Sequence, residues 1–332
     1  MKKVRVAVIG AGYLGRFHAQ KYSELEDAVL TGVVDTVMER AERVAKETNS
    51  TPYTSCEELI GKVDCVSIVT PTESHYGLGM SFLKKGIDVL IEKPMATTPD
   101  EAELLIKEAK KTGATLQIGH LERFNPAVIA LAGKVKNPLF IEAHRLSPFP
   151  DRSLDVDVVL DMMIHDIDII LNLVPSEVAA VDAVGIPVIS DKVDIANVRM
   201  SFKNGCVANV TASRISKEKL RRIRLFQSDS YISIDYALQE ISIAKLARGK
   251  DPSKPSIIEE KIEIEKRDSL KEEIKSFLEC SALKKSPLVT GEDGKRALEV
   301  AHRIQASVRD SMEKIRLQTV GVTALKGADV SA

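Results

Sequence analysis

Two stretches of this chain carry side chains suited to moving a proton. In Glu92-Lys93-Pro94 a lysine follows a short apolar run, Asp88 to Ile91, and the proline after it restricts the lysine to an extended backbone. A lysine held there can hydrogen-bond a reacting hydroxyl and lower its pKa, or lose its own proton when desolvated. In Asp161-Met162-Met163-Ile164-His165-Asp166-Ile167-Asp168, Asp161 and His165 stand four apart. With Asp168 they form one polar strip on an otherwise apolar helix. Histidine suits removal of a hydroxyl proton near neutral pH, and a neighbouring carboxylate can orient the ring and stabilise its charged form. Each pattern also has a plain reading: a surface lysine in a turn, and a structural His–Asp pair on a helix face.

The N-terminal segment says what such groups could act with. Val4 to Ile9 reads VRVAVI, a strand-like run, and Gly10-Ala11-Gly12-Tyr13-Leu14-Gly15 follows at once. A second apolar run ends in Asp35, 20 positions after Gly15, the spacing of an acid that meets an adenosine ribose. Gly10 permits a tight turn, Gly12 lets the backbone approach a pyrophosphate, and Gly15 permits close helix–strand packing. The helix that starts here offers free N–H groups and a positive dipole end to phosphates. Asp35 followed by Thr36, with no arginine beside it, predicts NAD rather than NADP. The expected cofactor contacts are Gly10, Gly12, Tyr13, Leu14, Gly15 and Asp35. Thr70, Pro71, Glu92, Lys93 and His120 join them at the ends of later strands.

These residues need a scaffold, and the hydropathy pattern supplies one. Strand-like runs at Val4–Ile9, Val29–Val34, Val63–Val69, Asp88–Ile91 and Thr115–Ile118 alternate with helical stretches. That order predicts an α/β, doubly wound parallel sheet, whose ligands lie at the carboxyl ends of its strands. Beyond residue 120 the texture changes. A long amphipathic helix is expected over Val158–Leu173, with further helices at Ala127–Lys134, Ser269–Cys280 and Gly294–Lys314. The strand-like segments Val178–Val184, Ile195–Phe202, Val207–Ser213, Arg222–Gln227, Tyr231–Asp235 and Glu240–Ala244 follow without intervening helices. They predict a second α/β domain with an open, mostly antiparallel sheet, and Asn204-Gly205 reads as a hairpin turn. The expected division is 1–120 for cofactor, 121–316 for substrate and oligomerisation, and 317–332 as a loose tail. The free face of the second sheet suggests a homodimer or homotetramer, a polar-faced monomer being the other possibility.

His120 and the residues after it, Glu122, Arg123 and Asn125, mark a hinge whose mixed polarity could meet a polar substrate. His18 and His75 read as helix-start and packing residues. The segment Ser213 to Arg224 is locally basic and has two readings: a solvated strand edge, or an arginine clamp for a diphosphate with Arg214 as its best candidate.

The totals exclude several classes. The chain has 332 residues, 44% hydrophobic and 29% charged, with net charge −1, the balance of a globular protein without a field for nucleic acid or anionic lipid. Aromatics are 4% and Trp is absent, which argues against base-stacking platforms. Four cysteines form no CxxC, so neither a metal site nor a disulfide framework is expected, and Cys65 reads as a buried thiol. No apolar stretch is long enough to span a bilayer, and the N-terminus enters a strand directly. A cytoplasmic enzyme is the expectation.

Taken together, Gly10–Gly15, Glu92-Lys93-Pro94 and the Asp161/His165 helix resemble the motifs of the glucose–fructose oxidoreductase, inositol dehydrogenase and MocA family, in the same order and over nearly the whole chain. Many members have glycine within that helix, where this chain has Met162-Met163. The resemblance implies a Rossmann domain, an open-sheet domain, and Lys93 and His165 at the reacting carbon with Asp161 beside them. The segments GHLERFNPAV and LDMMIHDIDIIL are most similar to a branch that oxidises the 3-hydroxyl of a UDP-linked sugar ahead of transamination, in one route towards amide-linked lipid A. Other sugar or inositol dehydrogenases, a glycosidase that retains NAD, and a non-catalytic NAD-binding regulator share the pattern.

Overall fold

The computed structural model describes residues 3–149, 156–247 and 256–328, with side chains to 314. It forms two compact units: residues 1–129 with 265–298, and 130–264 with 299–332.

The first unit is a six-stranded parallel sheet. Its strands are β1 (Val4–Ile9), β2 (Ala28–Val34), β3 (Thr51–Tyr53), β4 (Cys65–Ile68), β5 (Asp88–Glu92) and β6 (Leu116–Gly119), in the order β3-β2-β1-β4-β5-β6. The order reverses between β1 and β4, which makes the loop after β1 the topological switch point where ligands bind. β3 had no signal of its own, because three residues carry no periodicity. Helices α1 (Tyr13–Ser23), α2 (Met38–Thr48), α3 (Thr72–Leu83) and α4 (Pro99–Thr112) are the crossovers. The start of α4 shows how locally the sequence sets an element: the Thr98 hydroxyl accepts the Glu101 N–H at 3.2 Å, Pro99 opens the first turn, and Gly113 ends the helix at φ 71°.

α1 buries Gly15, His18, Ala19 and Tyr22, a helical stripe against the sheet. The short helix α5 (Pro126–Ile129) stops well before the expected Lys134. α7 (Ser269–Leu283), capped by Asp268 on the N–H groups of Leu270 and Lys271, belongs to this unit. Its Ile274, Phe277 and Leu278 share one core with Val6 and Val8 of β1 and with Ala19 and Tyr22 of α1.

The second unit is built on an eight-stranded sheet: β7 (Phe140–Leu146), β8 (Val178–Ile186), β9 (Ile195–Phe202), β10 (Val207–Ser213), β11 (Leu220–Phe226), β12 (Ser230–Asp235), β13 (Glu240–Ala247) and β14 (Ser256–Ile262). The order is β14-β13-β12-β11-β7-β10-β9-β8; only β7 and β10 run parallel. Asn204-Gly205 makes the β9–β10 turn, with Gly205 at φ 89°. Burial alternates along β9 and β10, with Ala196, Val198, Met200, Ala208, Val210 and Ala212 inward. On the other face polar pairs line up, Asn197 with Thr211 and Arg199 with Asn209.

The stretch expected to be one α-helix has two parts: a wider π-type turn over Val159–Met163, then α6 (Ile164–Leu173). The last helix, α8 (Gly291–Ala328), continues through most of the segment expected to be a loose tail; residues 329–332 lie outside the described residues.

Candidate active site

The loop after β1 has the form a dinucleotide requires. Gly10 sits at φ 100°, where a Cβ would lie 2.3 Å from the Val69 carbonyl oxygen. A Cβ on Gly15 would lie 1.8 Å from the Gly10 carbonyl oxygen. Both glycines are therefore fixed by backbone contacts. Gly12 is different: a Cβ there would meet nothing within 4 Å. The start of α1 faces open space at that point, with no side-chain cap and no acidic residue in its first turn. That is what an anion at a helix N-terminus needs. Tyr13 beside it is 61% exposed. Asp35 closes the loop, its Oδ2 accepting the Ala11 N–H at 2.9 Å and its Oδ1 the Val37 N–H at 3.0 Å. Each oxygen retains a lone pair for ribose hydroxyls. These residues fit NAD.

At the ends of β4 and β5 the two histidines expected to serve helix starts and packing do more. His75 of α3 spans two loops, its Nε2 2.8 Å from the Thr70 carbonyl and its Nδ1 2.8 Å from the Pro94 carbonyl. Burial pulls its pKa below the usual imidazole value, and the two carbonyls oppose that shift. His18 of α1 meets Glu92 Oε1 at 3.1 Å, while Glu92 Oε2 accepts the Lys93 N–H at 3.2 Å. Lys93 thus sits in a turn fixed from both sides, with its peptide bond to Pro94 cis. Thr70 pairs with Ser74 at 2.6 Å, and Pro71 opens α3. His120, Glu122, Arg123 and Asn125 are all buried. Asn125 donates to Glu122 at 3.1 Å and Arg123 to the Leu288 carbonyl at 3.3 Å. These bonds tie the turn to its own unit.

In the second unit Asp161 lies in the π-type turn and His165 in the first turn of α6, both half-buried, whereas Asp168 of the same helix is buried. Asp166, next to His165, is gripped by Arg145 of β7: Nε donates to Oδ2 at 2.7 Å and Nη2 to Oδ1 at 3.2 Å, both side chains being buried. The fork anchors α6 where His165 sits. No local pattern marks this pair, because its partners stand 21 residues apart on different elements.

Arg214 fits neither expectation. It is fully buried and donates to Asp194, to the Val156 carbonyl and to the Ser190 hydroxyl. A guanidinium spent on three internal acceptors does not reach a diphosphate, so neither a solvated edge nor a clamp describes it.

The comparisons agree with this geometry. Residues 4–120 match the model of an oxidoreductase family with an NAD-binding Rossmann fold, and residues 132–233 match the GFO/IDH/MocA C-terminal domain. The UDP-N-acetylglucosamine 3-dehydrogenase of Acidithiobacillus ferrooxidans is 40% identical over 95% of this chain and all of its own length. The chain belongs to the Gfo/Idh/MocA oxidoreductase family. It is an NAD-dependent enzyme. The solved structure of the same A. ferrooxidans protein superposes with a TM-score of 0.87, covering 93% of this chain and 98% of that one at 41% identity. The myo-inositol 2-dehydrogenase of Thermotoga maritima is 28% identical over 96% of this chain and 99% of its own. A levoglucosan dehydrogenase solved with NADH and levoglucosan shares the fold, with a TM-score of 0.83 at 17% identity, covering 93% of this chain and 98% of that one.

Proposed function

We propose that this enzyme oxidises the 3-hydroxyl of UDP-N-acetylglucosamine to a ketone, ahead of transamination to a 3-amino sugar. The observation that carries the reading is 40% identity, sustained over 95% of the chain, to a dehydrogenase of that name. Gly10, Gly12, Tyr13, Leu14 and Gly15 would hold the pyrophosphate at the start of α1, and Asp35 the adenosine ribose. When bound, NAD supplies the acceptor for the hydride that leaves the substrate carbon.

The residues of the chain do the rest. His165 takes the hydroxyl proton, and Asp161 orients the imidazole and offsets the charge it gains. The Lys93 ammonium hydrogen-bonds the same oxygen and stabilises the alkoxide as it develops. The His75 and Glu92 bonds fix the turn that carries Lys93, so little reorganisation is left for the reacting step.

The test follows NADH absorbance with UDP-N-acetylglucosamine, NAD, glutamate and a partner aminotransferase that removes the ketone. Nucleotide-sugar-dependent NADH and a 3-amino product support the reading. Turnover with inositol or a free hexose instead overturns the substrate. Lys93→Ala and His165→Ala should each lower turnover by roughly a hundredfold or more with NAD binding retained, and near-normal turnover in both would refute their roles.

A cytoplasmic setting goes with the reading, four free thiols being at ease in a reducing compartment, as does a role in supplying amide-linked lipid A. No helix among the described residues is long and apolar enough to cross a membrane. Assembly as a homodimer or homotetramer through the eight-stranded sheet is part of the proposal, and light scattering on the purified protein tests it.

A further inference from the structure

Beneath Lys93 the first unit encloses a cluster that the reaction as described leaves unused. His18 of α1, Glu92 at the end of β5 and Glu273 of α7 each bring one side-chain atom to within 4.8 Å of the others, and all three are buried. Glu92 has defined work: one oxygen meets His18 and the other accepts the Lys93 N–H. Glu273 has none, since among the described residues neither carboxyl oxygen has a hydrogen-bond partner. Its backbone carbonyl accepts a bond from the Gln117 side chain of β6 at 3.2 Å.

The other titratable groups around the cluster come from every neighbouring element. Tyr22 of α1 is paired with Ser67 of β4 at 2.7 Å, Cys65 lies on β4, His75 lies on α3, and Lys93 follows β5. Lys93 is the one lysine among them.

Two carboxylates this close in a dry interior do not both stay ionised. Burial pushes Glu92 up, but the His18 bond and the Lys93 charge outweigh it and hold its carboxyl below the usual range. Burial pushes Glu273 well above that range, and the charge on Glu92 pushes it further.

We propose that Glu273 is a positioning residue of the reaction: held as an uncharged carboxylic acid, it leaves Glu92 the single carboxylate of the cluster, free to grip His18 and the Lys93 backbone. An ionised Glu273 would repel Glu92 from below and loosen the turn that carries Lys93. The inference rests on the role given to Lys93 above.

Three variants and one spectrum test it in the full-length enzyme. Glu273→Ala, which adds no charge but leaves a cavity beside Glu92 where the buried acid had packed, should lower kcat by roughly tenfold or more with NAD affinity unchanged, and Glu273→Gln, neutral and of the same shape, should restore kcat to within about threefold of wild type. Difference infrared spectroscopy at neutral pH should show the carbonyl band of a protonated carboxyl that Glu273→Gln removes. Absence of that band overturns the proposal, as does a Gln variant as impaired as the Ala variant, or an Ala variant with full turnover. A stoichiometric divalent metal in the purified enzyme, lost in Glu273→Gln, also overturns it by making Glu273 a ligand. If the Ala variant does not fold, the Gln variant and the spectrum still decide. Near-normal turnover in Lys93→Ala would refute the role of Lys93 and with it the effect of Glu273 on the reaction, whereas the infrared band reports the protonation of Glu273 independently and keeps the two failures distinguishable.

Discussion

Replacing Arg214 by methionine asks whether this arginine holds the second unit together or binds substrate. Methionine keeps much of the stem and none of the donors. The wild-type guanidinium donates from Nε to Asp194 Oδ1 at 2.9 Å, from Nη1 to the Val156 carbonyl at 2.9 Å and from Nη2 to the Ser190 hydroxyl at 3.0 Å. Asp194 in turn accepts the N–H groups of Val188, Ile189 and Ser190 at 2.8, 2.7 and 2.9 Å and the Ser190 hydroxyl at 2.7 Å. Breaking a fully buried pair by removing one partner costs about 3–5 kcal/mol. The four donors that remain around Asp194 put the methionine variant at the lower end, about 3 kcal/mol. At about 2–4 °C per kcal/mol for 150–250 residues, Tm should fall by about 6–12 °C. Thermal and urea unfolding followed by circular dichroism measure the loss, and steady-state kinetics on the same samples should show KM for the nucleotide sugar unchanged. Adding Asp194→Asn should recover part of the loss, because no uncompensated carboxylate then remains. A wild-type Tm with KM raised by about tenfold would refute the structural role and return Arg214 to the substrate.

Gly12 and Gly15 of the loop should separate binding from folding. Gly12→Ala, whose Cβ meets open space, should keep Tm and weaken NAD binding by calorimetry; Gly15→Ala, whose Cβ would lie 1.8 Å from a carbonyl oxygen, should lose both. Unchanged NAD affinity in Gly12→Ala would mean that no pyrophosphate approaches there. Asp35→Ser combined with Thr36→Arg should move the coenzyme preference from NAD towards NADP, measured as the ratio of kcat/KM values; an unaltered ratio would remove Asp35 from the ribose. Burial pushes the Asp194 carboxyl up, but the hydrogen bonds from Ser190, Ile189 and Val188 outweigh it and hold its pKa far below the usual value. Its contribution to stability is therefore fully present above the unfolded pKa near 4 and is lost as pH falls below it. Wild type should lose stability between about pH 4 and pH 2 more steeply than Asp194→Asn, and parallel acid profiles would show that this carboxylate stabilises nothing.

The sequence by itself determined what short-range patterns encode. Gly10, Gly12 and Gly15 between a strand and a helix, with Asp35 20 positions beyond Gly15, fix a nucleotide loop because each need is met within one β–α–β unit. The alternation of apolar and polar residues in β9 and β10, with Asn204-Gly205 between them, fixes a hairpin for the same reason. Lys93 and His165 stood out as candidate proton-moving groups from residue type and motif. Their supports were not. Glu273 approaches Glu92 only because α7 returns to the first unit, and Arg145 meets Asp166 only because β7 lies under α6. Arg214 read as part of a solvated strand edge or as a clamp for a diphosphate; burial against Asp194 reversed both. The charges of Arg145 and Arg214 are met by Asp166 and Asp194, 21 and 20 residues away along the chain, and Glu273 meets Glu92 from a helix far beyond it in sequence. Local periodicity carries no information about such partners, and only the packed structure decides which buried charge faces which.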